Sequence, residues 1–324
     1  MNNKLLLTGG TGFFGRSLLR HYLSNFEMFG SGIVVLSRNP QQFQSDYPEF
    51  ASCSSVKYIK GDIQDRSTLP WDYSFTHVLH AATDSTLGPS LNPLNRFQQI
   101  VDGTANILDL ALATRATRFL LTSSGGIYGS QPADLEMISE DSTDAPPLDK
   151  VDAVYSHAKR AAEHLCALYR QTYDLETVVA RCFAFAGPDL PFNSHFAISN
   201  FIKDALFSDE IMVAGDGTPL RTYLDQSDLA NWLFTLMIEG VSGETYNVGS
   251  DRVISIGELA HLVRDLLSSD KPVRIIGSPN SYSARNRYVP SIDKIRLMHN
   301  LSPTFSLEQS ILRTADAFRR SVYP

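Results

Sequence analysis

An apolar run at residues 4–8 passes directly into Thr8-Gly9-Gly10-Thr11-Gly12-Phe13-Phe14-Gly15, and an amphipathic stretch over residues 16–25 follows. Gly9, Gly12 and Gly15 recur at every third position. In a strand–turn–helix context the first allows a tight turn and the second lets backbone approach a pyrophosphate. The third packs helix against strand, and the N–H groups at the helix N-terminus meet the negative charge. A glycine-rich loop with no ligand has the same composition. The position of this one, after the first strand and ahead of a second apolar run at residues 32–36, favours a dinucleotide site held by Gly9, Gly12, Phe13, Phe14 and Gly15.

Short apolar runs then alternate with helix-length segments: 56–60, 78–80, 97–114, 119–122, 154–173 and 177–182. Continuous apolar strands separated by helices indicate a parallel sheet covered on both faces, a doubly wound α/β fold of Rossmann type. With 324 residues, 43% of them hydrophobic, the chain can bury one large core or two modest ones. Beyond residue 183 the texture changes, with Gly187-Pro188, Gly215-Asp216-Gly217-Thr218-Pro219 and Ser278-Pro279 breaking short segments. The expected division is a dinucleotide-binding domain over 1–182 plus about 222–248, and a smaller, discontinuous substrate-binding part over 183–221 and 249–324. Residues 133–150, rich in acids, read as a surface loop.

A formal charge of −7 argues against a generic nucleic-acid binder. The three cysteines, Cys53, Cys166 and Cys182, are widely spaced, form no CxxC pair and read as reduced structural thiols without a metal. The first residues show no leader pattern, and no stretch approaches about 18 uninterrupted apolar residues, so a soluble cytoplasmic protein is expected.

The second run ends Ile33-Val34-Val35-Leu36-Ser37-Arg38. An NAD site usually closes this strand with an acid for the ribose 2′-OH, whereas an Arg accommodates a 2′-phosphate. Ser37 and Arg38 therefore favour NADP(H), with NAD as the alternative and an Arg38 that merely faces solvent still open. Asp62 and Ile63, after the third strand, are placed for the adenine, although Asp62 equally suits a turn.

Tyr155-Ser156-His157-Ala158-Lys159 sets Tyr and Lys on one helix face. An ammonium beside a phenol lowers the phenol's proton affinity and can hold a nicotinamide ribose, which makes Tyr155 a candidate acid or base near neutrality. Upstream, Thr122-Ser123-Ser124-Gly125-Gly126-Ile127-Tyr128-Gly129 ends a strand in hydroxyls and glycines, either a plain turn or a second hydrogen-bond donor to a substrate oxygen.

The glycine turn, strand-end serine and YxxxK, in this order, resemble the extended short-chain dehydrogenase/reductases, in their nucleotide-sugar epimerase/dehydratase branch. The resemblance covers nearly the whole chain. It includes His80-Ala81-Ala82, Asp102-Gly103-Thr104, Arg181-Cys182-Phe183, the segment 221–230 beginning Arg221-Thr222-Tyr223, and Tyr246-Asn247-Val248-Gly249. It implies that Ser124 and Tyr155 hydrogen-bond the reacting oxygen and that Lys159 holds the cofactor, with Ala81 and Ala82 beside it. Ser124 is chosen over Ser123 because it stands four positions before Tyr128; Ser123 then serves the nicotinamide side or the turn. Arg221 would meet a nucleotide diphosphate, joined by Asn200 and by Arg287 or Arg285.

Departures from the pattern narrow the chemistry. Family 4,6-dehydratases carry Asp and Glu where this chain has Gly125 and Gly126, and related decarboxylases keep a Glu; glycine transfers no proton. Ala184 replaces a usual Asn. The resemblance thus implies C4 reduction of an NDP-4-keto-6-deoxyhexose with Tyr155 as proton donor. The alternatives are a 4-epimerase with tightly bound NAD and a non-catalytic cofactor-binding sensor or scaffold. It also implies a homodimer formed through the helices near 95–114 and 152–172, with Ala158, Ala161 and Ala162 permitting close approach or else packing on the sheet.

Overall fold

The computed structural model describes residues 4–25, 30, 32–83, 90–192, 196–278 and 286–322. Arg285 falls outside them. In chain order the first half runs β1 (Leu5–Thr8), α1 (Phe13–Ser24), β2 (Ile33–Ser37), α2 (Pro40–Asp46), α3 (Pro48–Ala51), β3 (Val56–Lys60), β4 (His77–His80), α4 (Pro93–Ala113), β5 (Arg118–Ser124), α5 (Val154–Tyr173) and β6 (Glu176–Cys182). Then follow β7 (Phe185–Ala186), α6 (Ala197–Phe207), β8 (Ile211–Val213), β9 (Leu220–Arg221), β10 (Leu224–Asp225), α7 (Gln226–Glu239) and β11 (Thr245–Val248). The chain closes with β12 (Ile254–Ser255), α8 (Ile256–Leu267), β13 (Val273–Ile275), β14 (Arg287–Tyr288), α9 (Asp293–His299) and α10 (Leu307–Val322).

Seven strands form one sheet in the order β11-β6-β5-β4-β1-β2-β3, the doubly wound Rossmann-type arrangement. β1 sits between β2 and β4, with Leu6 opposite both Val34 and Val78. Leu5, Leu6 and Leu7 are wholly buried, so side chains on both faces are covered, and each contributes roughly 2 kcal/mol of burial. β3 lies at the sheet edge, and its pattern relaxes accordingly to Val-Lys-Tyr-Ile-Lys with both lysines exposed. On one face α4 and α5 bury Ile100, Ile107, Ala158, Ala162 and Cys166 in a common core with Phe119 and Leu121 of β5. Ala158 and Ala162 pack in this core, one of the two roles open to them from the sequence.

The chain divides into two compact units. The first comprises residues 1–129, 146–182 and 230–246; the second comprises 130–145, 183–229 and 247–324. Residues 130–145 and 222–229, expected in the first domain from their order in the chain, belong to the second. The Ile138 N–H donates to Val289 O and the Gln131 Oε1 accepts from Val289 N, so this loop is stitched to a distant segment. Leu224 pairs with Phe185, and Asp225 takes hydrogen bonds from Ser310 and Arg313. Within the second unit β9 lies between β12, antiparallel, and β14, parallel.

Candidate active site

The glycine turn is built by close contacts that glycine alone permits. Gly9 adopts φ +74°, and a Cβ there would meet the Ala81 carbonyl oxygen at 2.4 Å and the Ala82 nitrogen at 2.7 Å. The turn thus rests on the backbone leaving β4, at Ala81 and Ala82. Gly15 is equally constrained, a Cβ meeting the Gly10 backbone at 2.2 Å. Gly10, not singled out from the sequence, is confined by Val35, 2.6 Å from where its Cβ would stand.

Gly12 differs from these three. It is exposed, and a Cβ there would have only the Gly9 oxygen within 4 Å, at 3.5 Å. It caps α1, whose first turn carries no acid and no side-chain cap. A helix N-terminus with no acid in its first turn, faced by a glycine whose outer side is open, fits a pyrophosphate. Phe13 and Phe14 open the helix, partly exposed, with ring centroids 5.9 Å apart.

At the end of β2, Ser37 is partly exposed and Arg38 exposed, with no acid at the strand end. The Ser37 hydroxyl accepts from Asn39 N at 3.3 Å, so it also shapes the turn. Asp62 takes up the turn role left open by the sequence: its carboxylate accepts from Gln64 N at 3.0 Å. Ile63 is packed against the site where a Gly103 Cβ would stand, and its carbonyl accepts from Asn106 Nδ2 at 2.8 Å.

Ser124, Tyr155 and Lys159 converge in the first unit. β5 ends at Ser124, and the chain turns at once into a short 3₁₀ segment, Gly125–Tyr128. The Ser124 hydroxyl accepts from Gly126 N at 3.1 Å and is hydrogen-bonded to Tyr155. Lys159, one helical turn on, is buried and donates from Nζ to Thr83 Oγ1 and to Thr122 O, both at 2.8 Å.

The electrostatics differ from expectation. Desolvation pushes the Tyr155 phenol up to about 12 although its ring stays partly accessible; the Ser124 hydrogen bond and Arg96 act in the opposite sense, and the nearby Cys182 adds to the rise. Lys159, expected to lower it, is itself brought down to about 8 by burial. In the protein without ligand Tyr155 is a protonated donor near neutrality. Its ring is flanked by Arg96 Cζ at 4.7 Å and Lys159 Nζ at 5.9 Å from the centroid.

Ser123 is engaged away from a nicotinamide role: its hydroxyl donates to Glu163 Oε1. Glu163 also holds Arg181, whose Nη2 lies 2.8 Å from Oε2 and whose Nη1 donates to the Tyr128 hydroxyl at 2.8 Å. β5, α5 and β6 are thereby tied together. Glu163 extends the Tyr155–Lys159 spacing by a further four residues on α5, a signal already present in the sequence. Thr83 and Arg96 carried no comparable signal.

In the second unit Arg221 is half-buried, and its Nη1 donates to Leu220 O at 2.8 Å and Asn286 O at 3.0 Å. The β9–β14 register pairs Tyr288 with Arg221 and Arg287 with Leu220, so the two arginines start from opposite faces of this short sheet. Tyr288, not Arg287, is the direct neighbour of Arg221. The Arg287 Nε is buried with no hydrogen-bond partner among the described residues. Asn200 lies in the first turn of α6, partly exposed. Among the described residues there is no group of His, Cys, Asp and Glu arranged to hold a metal.

The family described as NAD dependent epimerase/dehydratase matches residues 5–249. The chain belongs to that family. Among curated members, UDP-glucuronic acid decarboxylase 1 of Xenopus tropicalis is 27% identical over 323 residues, covering 98% of this chain and 73% of its own. The dTDP-glucose 4,6-dehydratase of Neisseria meningitidis serogroup B is 29% identical over 294 residues, covering 85% and 78%. Solved structures share the fold. UDP-glucose 4-epimerase of Thermotoga maritima, solved with UDP-glucose, superposes with TM-score 0.83 at 20% identity over 98% of this chain and 99% of that one. The Bacillus anthracis dTDP-glucose 4,6-dehydratase, solved with NAD, gives 0.82 at 21% over 99% and 98%.

Proposed function

We propose that the protein is a nucleotide-sugar ketoreductase, reducing the C4 ketone of an NDP-4-keto-6-deoxyhexose. The observation that carries this reading is the Ser124–Tyr155–Lys159 group followed by glycine, not Asp or Glu, at positions 125 and 126. Elimination or decarboxylation in this family calls on Asp or Glu where this chain has Gly125 and Gly126. Ser156 closes that space: a Cβ on Gly126 would meet its hydroxyl at 2.9 Å.

Ser124 and Tyr155 bind and orient the ketone oxygen, and Tyr155 gives it a proton from a phenol held protonated by its surroundings. Lys159, fixed by Thr83 and the Thr122 carbonyl, positions the cofactor ribose. The glycine turn would hold the pyrophosphate of a dinucleotide, whose reduced nicotinamide would supply the hydride when bound. We assign NADP(H), because Ser37 and Arg38 close β2 without an acid. Arg221, with Asn200 and Arg287, is the candidate for the diphosphate. A homodimer through α4 and α5 is part of the same reading.

Two measurements test it. Purified protein is denatured and the released nucleotide identified, and NADPH oxidation is followed with UDP-, dTDP-, CDP- and GDP-linked 4-ketosugars. Turnover is expected with one nucleotide class, falling about 10²–10⁴-fold in Tyr155→Phe. Stoichiometric bound NAD, with no NADPH consumed by any ketosugar, overturns the reductase in favour of the epimerase.

A further inference from the structure

We propose that Arg96 is a positioning residue for proton transfer at Tyr155, its guanidinium covering the phenol face as a permanent cation that supports the phenolate formed when the proton leaves. This rests on Tyr155 being the proton donor. In that step the Tyr155 O–H bond breaks as the new O–H bond forms on the substrate oxygen, and the negative charge passes to the phenolate until solvent restores the proton.

Among the described residues, the groups facing Tyr155 come from four elements. From α4, the Arg96 guanidinium carbon stands 4.7 Å from the ring centroid; from α5, Lys159 Nζ stands 5.9 Å from it. Ser124 at the end of β5 hydrogen-bonds the phenol, and Cys182 of β6 is a neutral thiol, pushed up to about 12 by burial. Glu163 and Arg181, the next charges along α5 and β6, satisfy each other. Of the two cations, Lys159 loses its charge from about pH 8, because burial disfavours it. A guanidinium does not. A cation within about 6 Å of an aromatic face is favourable with the neutral ring and more so with the anion. In mildly alkaline solution, where Lys159 is neutral, Arg96 is the cation whose charge still lowers the proton affinity of this phenol.

The test compares Arg96→Met with Arg96→Lys in the full chain labelled with carbon-13 at the tyrosine Cζ. The Tyr155 resonance is identified by its loss in Tyr155→Phe, and circular dichroism verifies the fold at each pH. Removing a cation at this distance shifts a titration by about one unit, so the ionised fraction at pH 11 should fall roughly tenfold. The displacement of the resonance between pH 8 and pH 11 is therefore expected to shrink several-fold in Arg96→Met and to persist in Arg96→Lys. An unchanged displacement in Arg96→Met, or the same loss in both variants, overturns the proposal. In turnover, kcat should fall about tenfold in Arg96→Met with KM within about twofold; a KM change alone assigns Arg96 to substrate binding and overturns it. Absence of any turnover in the wild type rejects the ketoreductase, while the resonance still decides Arg96.

Discussion

His80 shows how a single residue type takes its meaning from its surroundings. Its Nδ1 is 2.7 Å from Thr8 Oγ1 and its Nε2 is 3.2 Å from Thr104 Oγ1, and it is 3% exposed. The Thr104 hydroxyl donates to Ile100 O at 2.7 Å and so accepts from Nε2–H, while Thr8 Oγ1 donates to Nδ1, a pairing for the neutral imidazole; the charged Lys159 opposes protonation. Burial first, and then Lys159, push His80 down from 6.5 to about 3. A folded-state value below the unfolded one means that its stabilising contribution is full above pH 6.5 and lost as pH falls toward 3. Urea unfolding across that window should show stability declining, at up to about 1.4 kcal/mol per pH unit from this residue. In His80→Gln that part of the slope should vanish; an identical slope in the variant would show that carboxylates alone carry the acid sensitivity.

At the scale of elements, the β1–α1 turn separates two reasons for being glycine. Gly15 is buried where a Cβ would strike the Gly10 backbone at 2.2 Å, so Gly15→Ala should lower Tm by several degrees. Gly12 has open space on its outer side, so Gly12→Ala should leave Tm in the absence of ligand within about one degree. It should nonetheless abolish the thermal shift produced by added dinucleotide. Differential scanning calorimetry with and without NADP(H) or NAD reads both effects. Equal loss of Tm in the two variants would show that Gly12 serves packing alone. The spacing of three glycines was legible in the sequence, but this division of labour was not, because it depends on which atoms of β2 and β4 lie against the turn.

At the scale of the molecule, the second unit is locked by its last helix. Asp225 has a side chain with 0% exposure, and it accepts from Arg313 Nη1 at 2.8 Å, Ser310 Oγ at 2.8 Å and Ser227 N at 2.8 Å. Arg313→Met would leave a buried carboxylate without its cation, at a cost on the order of 3 kcal/mol. Asp225→Asn added to it should recover part of that loss. Urea denaturation measures both. Dinucleotide affinity, which we propose rests on residues of the first unit, should be unchanged at 25 °C. A destabilisation below about 0.5 kcal/mol would mean that the serines and the backbone suffice for Asp225. Among the described residues no helix is long and apolar enough to cross a membrane.

The sequence alone determined the doubly wound sheet, the dinucleotide turn and the Ser124–Tyr155–Lys159 group. These depend on local signals: continuous apolar strands, glycines at a strand–helix junction, and a four-residue spacing on one helix face. Tertiary structure decided what those signals cannot carry. It moved residues 130–145 into the second unit through contacts with Val289, engaged Ser123 with Glu163, and aligned Tyr288, not Arg287, with Arg221. It also reversed the expected proton affinity of Tyr155 and brought Arg96 over its ring. The physical reason is the same in each case. Desolvation and charge proximity depend on distances in space between segments far apart in the chain, whereas propensity and periodicity act between near neighbours.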